Sequence, residues 1–330
     1  MKKIVIRSAI NAMLLTLSFP AQAQQLQNVP RIGWLSPSSA SLEPTPSRLK
    51  SFRLGLADFG YVEGKNVAME YRYAEGKLDR LPNLAAELVR LKVDVIVTTG
   101  TESTWAAKNA TQTIPIVIGV GTDPVGSGLV ASLARPGGNI TGLSASVGLQ
   151  VLGKRIELLK EAVPPVQSVF ALWHQSIPGL EATRKEMDDA ARALRVKVQL
   201  REVKDSNDLR RAFSSIGGGQ TRGLITLLGA FTRNNLKRIA ELAMKNRLPA
   251  MGGDTQFVEA GGLMSYGAGS IDGFRRAAYF VDKILKGTKP ADLPVEQPMK
   301  FEFVINLKTA KQIDVTIAPN VLARADRVIR

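Results

Sequence analysis

Residues 93–142, VDVIVTTGTESTWAAKNATQTIPIVIGVGTDPVGSGLVASLARPGGNITG, constrain the fold more than any other stretch of this chain. They hold two apolar, β-branched runs, VDVIV and IPIVIGV. Each run ends in small polar residues, Thr98-Thr99-Gly100-Thr101 and Gly121-Thr122-Asp123-Pro124. A helix-forming segment, 102–110, lies between them. Strand, polar loop, helix, strand, polar loop is the βαβ pattern of a parallel sheet. In open α/β sheets, ligands collect at the loops that leave the carboxyl ends of strands. The two polar exits are therefore the first candidate binding loops.

The flanking chain repeats this rhythm. Residues 31–35 (RIGWL) read as a strand with Ser36-Pro37-Ser38-Ser39 as its exit. Leu49, Phe52, Leu56 and Phe59 form one helical face, closed by Gly60-Tyr61. Residues 66–73 read as a strand, and Leu81, Leu84, Leu88 and Leu91 as a helix. A short helix is expected over 126–134, stopped by the breaker cluster Arg135-Pro136-Gly137-Gly138-Asn139. Residues 140–144 then leave the first array as a strand. In the second half, strands are expected at 168–173, 196–203, 224–228, 249–252 and 301–305. Helices are expected on Leu152, Ile156, Leu159 and Val163, over 180–194, 205–216 and 236–245, and on Ile271, Phe274, Ala278, Val281 and Leu285. Residues 262–267 read as a segment crossing between arrays. Two α/β arrays with polar strand ends and no low-complexity linker imply two lobes with a ligand cleft between them.

Several function classes drop out. The 330 residues contain no cysteine and one histidine, so disulfides, a cysteine nucleophile and a transition-metal site are not expected. No GxxxxGK[ST] and no Gly-x-Ser-x-Gly elbow is present. Gly119-Val120-Gly121 has Pro124 where a dinucleotide fingerprint needs its third glycine. Neither catalysis nor a cofactor is expected. Residues 1–23 carry Lys2, Lys3 and Arg7, an apolar core and Ala21-Gln22-Ala23, the pattern of a cleaved secretory signal peptide. Its removal takes away three basic residues and no acidic one, so the net charge of +15 becomes +12. The basic residues are spread over many helices (Arg48 and Lys50, Arg184 and Lys185, Arg210 and Arg211, Arg275 and Arg276). That spread reads as a solvated surface rather than a nucleic-acid interface.

The runs LADFGYVEGKNV, VDVIVTTGT, TIPIVIGVGTDPVGSGLVASLARPGGNITGLS, GGLMSYG, KILKGTKPADLPVEQPMKFEFVINLKTAK and LARADRVI carry a resemblance across nearly the whole mature chain. The chain resembles bacterial ABC-transporter substrate-binding proteins of the group that includes tryptophan-binding members. That resemblance implies a type I periplasmic-binding-protein fold: two Rossmann-like α/β lobes with parallel-sheet cores, joined by three crossover strands. It implies a monomer in the periplasm that closes by hinge motion on a small solute, an amino acid or aromatic compound, and serves an inner-membrane permease. The crossings are expected near 140–144, 263–267 and 293–299. The amino-terminal lobe is then 29–141 with 268–292, and the carboxy-terminal lobe 142–267 with 293–330.

Nine residues are the expected ligand contacts. Thr99, Gly100 and Thr101 offer hydroxyls and a backbone N–H near a helix start, which suits a carboxylate, and Ser36 stands in the first exit loop. Asp123 suits an ammonium group, or an Asx turn before its proline. Thr99 and Thr101 have a second reading as helix caps, as does Asp254. Trp173, Asp254 and Thr255 sit at strand ends of the other lobe, with His174 as a polar lining residue and Tyr266 at a crossing. Trp173 has core packing as its alternative. Two rival functions share the fold. A LacI-like regulator needs an amino-terminal DNA-reading motif where this chain has its signal segment, and a ligand sensor hands its signal to a receptor instead of a permease.

Overall fold

The computed structural model describes residues 29–40, 48–144, 150–174, 180–216, 221–227, 229–268, 270–298 and 300–330. The signal segment expected at 1–23 lies outside the described residues. The first sheet contains β1 (Arg31–Ser36), β2 (Ala68–Tyr73), β3 (Val95–Thr98), β4 (Ile116–Gly121) and β5 (Ile140–Ser144), in the order β2-β1-β3-β4-β5. All its pairings are parallel. Central β3, VIVT, is buried along its whole length. Helices cover both faces of a parallel sheet, so its strands are apolar on both sides.

The period-two side-chain alternation splits the first lobe's core in two. Ile32 and Trp34 point to one side, where Trp34 packs on Phe52 and Phe274 with ring centroids 5.4 and 5.5 Å apart. Phe52 lies on α1 (Arg48–Asp58), and Phe274 on the much later α10 (Ser270–Leu285). Leu35, Ile96, Ile116 and Ile118 belong to the opposite core, closed by α2 (Leu81–Arg90) and α3 (Thr101–Ala110). Helices α1 and α10 meet at Gly55, where an added Cβ would stand 2.4 Å from the Arg275 carbonyl oxygen.

The second sheet runs β12-β11-β10-β9-β8-β6-β7. Its strands are β6 (Ser168–Trp173), β7 (Lys197–Glu202), β8 (Arg222–Thr226), β9 (Ala250–Gly252), β10 (Met264–Ala268), β11 (Phe301–Asn306) and β12 (Arg327–Ile329). Only β10 and β11 are antiparallel. Its helices are α4 (Gln150–Ala162), α5 (Leu180–Leu194), α6 (Ser206–Ile216), α7 (Ala230–Asn234), α8 (Leu236–Lys245), α9 (Thr255–Glu259), α11 (Leu307–Gln312) and α12 (Pro319–Leu322). Edge strand β7, KVQLRE, has no buried position and carries charges at both ends, which discourages further pairing.

The chain passes between the sheets three times: after β5, after β10, and before β11. On the last passage Glu296 lies beside β5. Its N–H donates to the Gly142 carbonyl at 2.9 Å and its carbonyl accepts the Ser144 N–H at 2.8 Å. The segment expected to cross at 263–267 is itself a strand of the second sheet, and the passage follows it.

Two expectations are corrected. Residues 126–134 form consecutive turns, not a helix. Gly128 sits at φ +71°, which a right-handed helix cannot accommodate, and the Leu129 and Val130 N–H groups both turn back to the Pro124 carbonyl. The solvated-surface reading fails for Arg48, which is buried with its guanidinium over the Phe274 ring, 5.6 Å from the centroid. Among the described residues, no helix is long and apolar enough to cross a membrane.

Candidate ligand-binding cleft

The parallel sheet places the exits of β1, β3 and β4 side by side on one edge. Thr99 follows β3, and its N–H donates to the Leu35 carbonyl of β1 at 3.2 Å. Its hydroxyl donates to Ser36 Oγ at 3.1 Å, joining two of the expected contacts in one buried pair. Gly100 occupies the N-cap position of α3, with extended backbone and no side-chain cap. Thr101 does not cap the helix either: its Oγ1 accepts the Thr122 N–H at 3.0 Å and so ties the β3 exit to the β4 exit. The start of α3, with the positive end of its helix dipole, thus lies beside the Ser36 and Thr99 hydroxyls, and the Glu102 carboxylate stands in its first turn.

Asp123 is in the left-handed region, at φ +40°, and its Oδ1 accepts the Gly126 N–H at 2.9 Å. This is the Asx turn before Pro124, and the second oxygen makes no part of it.

On the second lobe, β6 delivers Trp173 and His174. The indole Nε1 of Trp173 is buried and finds no hydrogen-bond partner among the described residues, and the whole side chain is half-buried. The His174 ring is buried and stacks on Phe231 of α7, with centroids 4.6 Å apart and planes inclined by 9°. Asp254 is the N-cap of α9: its Oδ1 accepts the Gln256 N–H at 3.0 Å. Thr255 opens that helix and is half-buried. The Tyr266 ring stacks on Phe301 at 5.5 Å and meets the edge of Phe303 at 6.5 Å, so it belongs to the apolar packing around β11.

The expected residues thus gather into two walls rather than one cluster. The walls face each other. The Ala230 N–H at the start of α7 donates to Glu102 Oε1, in the first turn of α3, at 2.9 Å. Ser38 Oγ, in the β1 exit, donates to Asn234 Oδ1 at the end of α7 at 2.6 Å. The Phe231–His174 stack consequently lies next to the start of α3.

Sequence reasoning missed Arg155. It is buried on α4, where its Nε donates to the Tyr266 carbonyl at 2.8 Å and its Nη2 to the Gly253 carbonyl at 3.3 Å. Burial lowers its pKa to about 10, against the favourable charge of Asp254, Glu186 and the nearby Tyr266. Glu186 of α5 is buried behind it and accepts the Leu152 and Gly153 N–H groups at 2.9 and 3.3 Å. Burial lifts that carboxyl to about 7, although the two amides and Arg155 pull it down. Glu102, Phe231 and Asn234 were also missed. On a helix surface nothing in the local sequence separates such residues from solvated ones. Among the described residues no group of three or more His, Asp or Glu side chains could hold a metal ion.

The pattern of the ABC transporter substrate binding protein family matches residues 45–329. A tyrosine-binding protein of Clostridioides difficile is 28% identical over 270 residues, which make up 81% of this chain and 76% of that protein. Among solved structures, a conserved domain protein of Vibrio cholerae superposes with a TM-score of 0.84 at 28% identity, covering 91% of this chain and 99% of the other. An ABC domain of Streptococcus pneumonia in complex with L-Trp gives a TM-score of 0.81 at 26% identity, with the same coverage of each chain.

Proposed function

This chain belongs to the ABC transporter substrate-binding protein family, and we propose that it captures an amino acid or aromatic solute between its lobes and delivers it to a membrane permease. A family of solute-binding proteins has no turnover to perform, and its chemistry is recognition rather than catalysis. The observation that carries the reading is the pairing of walls. The start of α3, with the Ser36 and Thr99 hydroxyls, meets the stacked His174–Phe231 rings across the Glu102–Ala230 hydrogen bond. A carboxylate fits the first wall through the Ser36 and Thr99 hydroxyls and the positive end of the α3 dipole, with the Glu102 carboxylate drawn onto the Ala230 N–H. A planar ring fits the second, in offset contact with the aromatic pair. The Trp173 indole N–H is a further donor for a solute oxygen.

For an ammonium group, Asp254 is the better placed carboxylate. Each of the two spends one oxygen on a local backbone N–H, but Asp254 is the buried one, at a strand exit of the opposite lobe. The tyrosine-binding and L-Trp-bound relatives support an aromatic amino acid. The proposed lobes are 29–141 with 268–292 and 142–267 with 293–330, the first boundary falling within β5, and closure is a hinge motion at the three passages between sheets. Export through the signal segment 1–23 places the mature chain outside the cytoplasm, where a permease would receive the solute.

A thermal-shift screen of the mature chain tests the reading, with L-tyrosine, L-tryptophan, hydroxybenzoic acids, sugars and nucleosides. A ligand at ~100 Kd adds about 2.7 kcal/mol to the folded state. A shift with an aromatic amino acid is expected. A shift confined to sugars or nucleosides would remove the proposed solute class. Co-purification with a permease, rather than with a sensor kinase, separates transport from signalling.

A further inference from the structure

Two hydrogen bonds join α7 to the first lobe, one at each end of the helix. The Ala230 N–H donates to Glu102 Oε1 at 2.9 Å, and Asn234 Oδ1 accepts from Ser38 Oγ at 2.6 Å. Their first-lobe partners belong to the same two exits that carry the candidate solute contacts. Glu102 follows Gly100 and Thr101, and Ser38 follows Ser36. Between the two anchor points, Phe231 projects from α7 onto His174. The helix is therefore held at both ends by one lobe while its middle builds the aromatic wall of the other.

We propose that Glu102 and Asn234 are positioning residues for solute retention: they hold α7 against the first lobe, so that the His174–Phe231 wall stays closed over the solute without either residue touching it. This inference rests on the cleft being the solute site. Both bonds exist only when the lobes are together. Each therefore stabilises the closed arrangement alone and biases the hinge equilibrium directly. Neither side chain lies in a core cluster, and both are half-buried, so their removal leaves the sheets intact. The chemistry asked of each is only that of an acceptor oxygen. Gln at 102 and Asp at 234 keep that oxygen, while Ala at either position deletes it.

The test uses small-angle X-ray scattering of the ligand-free mature chain, together with stopped-flow dissociation of L-tyrosine as the probe. The double variant Glu102→Ala/Asn234→Ala should show a larger radius of gyration than wild type. It should release L-tyrosine about tenfold faster with little change in association rate, the pattern of an effect on residence time. The double variant Glu102→Gln/Asn234→Asp should restore both values. An unchanged radius and an unchanged dissociation rate in the alanine variant overturn the proposal, as does failure of the Gln/Asp variant to restore them. If wild type binds no L-tyrosine, the proposed solute fails, and the scattering comparison still decides whether α7 is held in this way.

Discussion

The Asp254 carboxylate accepts the Gln256 N–H with one oxygen and stands near the buried guanidinium of Arg155. Cap and charge can be separated. Asp254→Asn keeps the acceptor but withdraws the charge that favours buried Arg155, so it should lose stability through Arg155 alone, whereas Asp254→Ala should lose about 1 kcal/mol more with the cap. If Asp254 holds a solute ammonium, Asp254→Asn should also weaken L-tyrosine binding at least ~10-fold in a calorimetric titration, since the charge of a charge-assisted bond is gone. Glu186 gives a second residue-scale expectation. Its carboxyl titrates near 4.5 when exposed and near 7 in the fold. Between those values the native state holds more protons than the unfolded state, so stability falls as pH rises through this window. The total is on the order of 3 kcal/mol. Glu186→Gln should remove this slope. The two proteins should melt together near pH 4.5, and the variant should melt higher at about pH 8. A wild type that gains on the variant as pH rises would reverse the sign and discard the argument.

At the scale of elements, the contact of α1 with α10 sets a strict demand. Gly55 faces the Arg275 backbone, which cannot swing aside as a side chain does. Gly55→Ala should therefore cost roughly 1–3 kcal/mol in urea unfolding despite its helix-favouring Cβ. How legible such elements were depended on what fixes them. The apolar runs of β3, β4 and β6 were readable because both sheet faces are covered, and α8 was placed at its observed ends because its apolar spacing is regular. The short helices α7, α9, α11 and α12 were not, because four to six residues carry too little periodicity to read. The polar strand exits of the cleft were legible as a pattern, since parallel strands must end somewhere and Ser and Thr mark those ends. Arg155 and Glu102 were not, because burial on a helix is decided by a partner remote in sequence.

At the scale of the whole molecule, the two sheets have separate cores. Opening should thus occur without unfolding, and hydrogen exchange can separate the two. The Ala230 amide, bonded only across the cleft, should exchange much faster than the β3 and β8 amides, and a bound solute should slow it selectively. Equal exchange at all three places would mean that the lobes never part short of unfolding. The threading of the chain has a separate consequence for biosynthesis. The first sheet is complete at Ser144, yet the helix that brings Phe274 onto Trp34 and Phe52 ends at Leu285. A nascent chain must therefore carry one bare flank of its amino-terminal half until most of the carboxy-terminal half has been synthesised. Vectorial folding, in which a leading half folds before its successor emerges, should therefore leave this half with its core unfinished until α10 arrives.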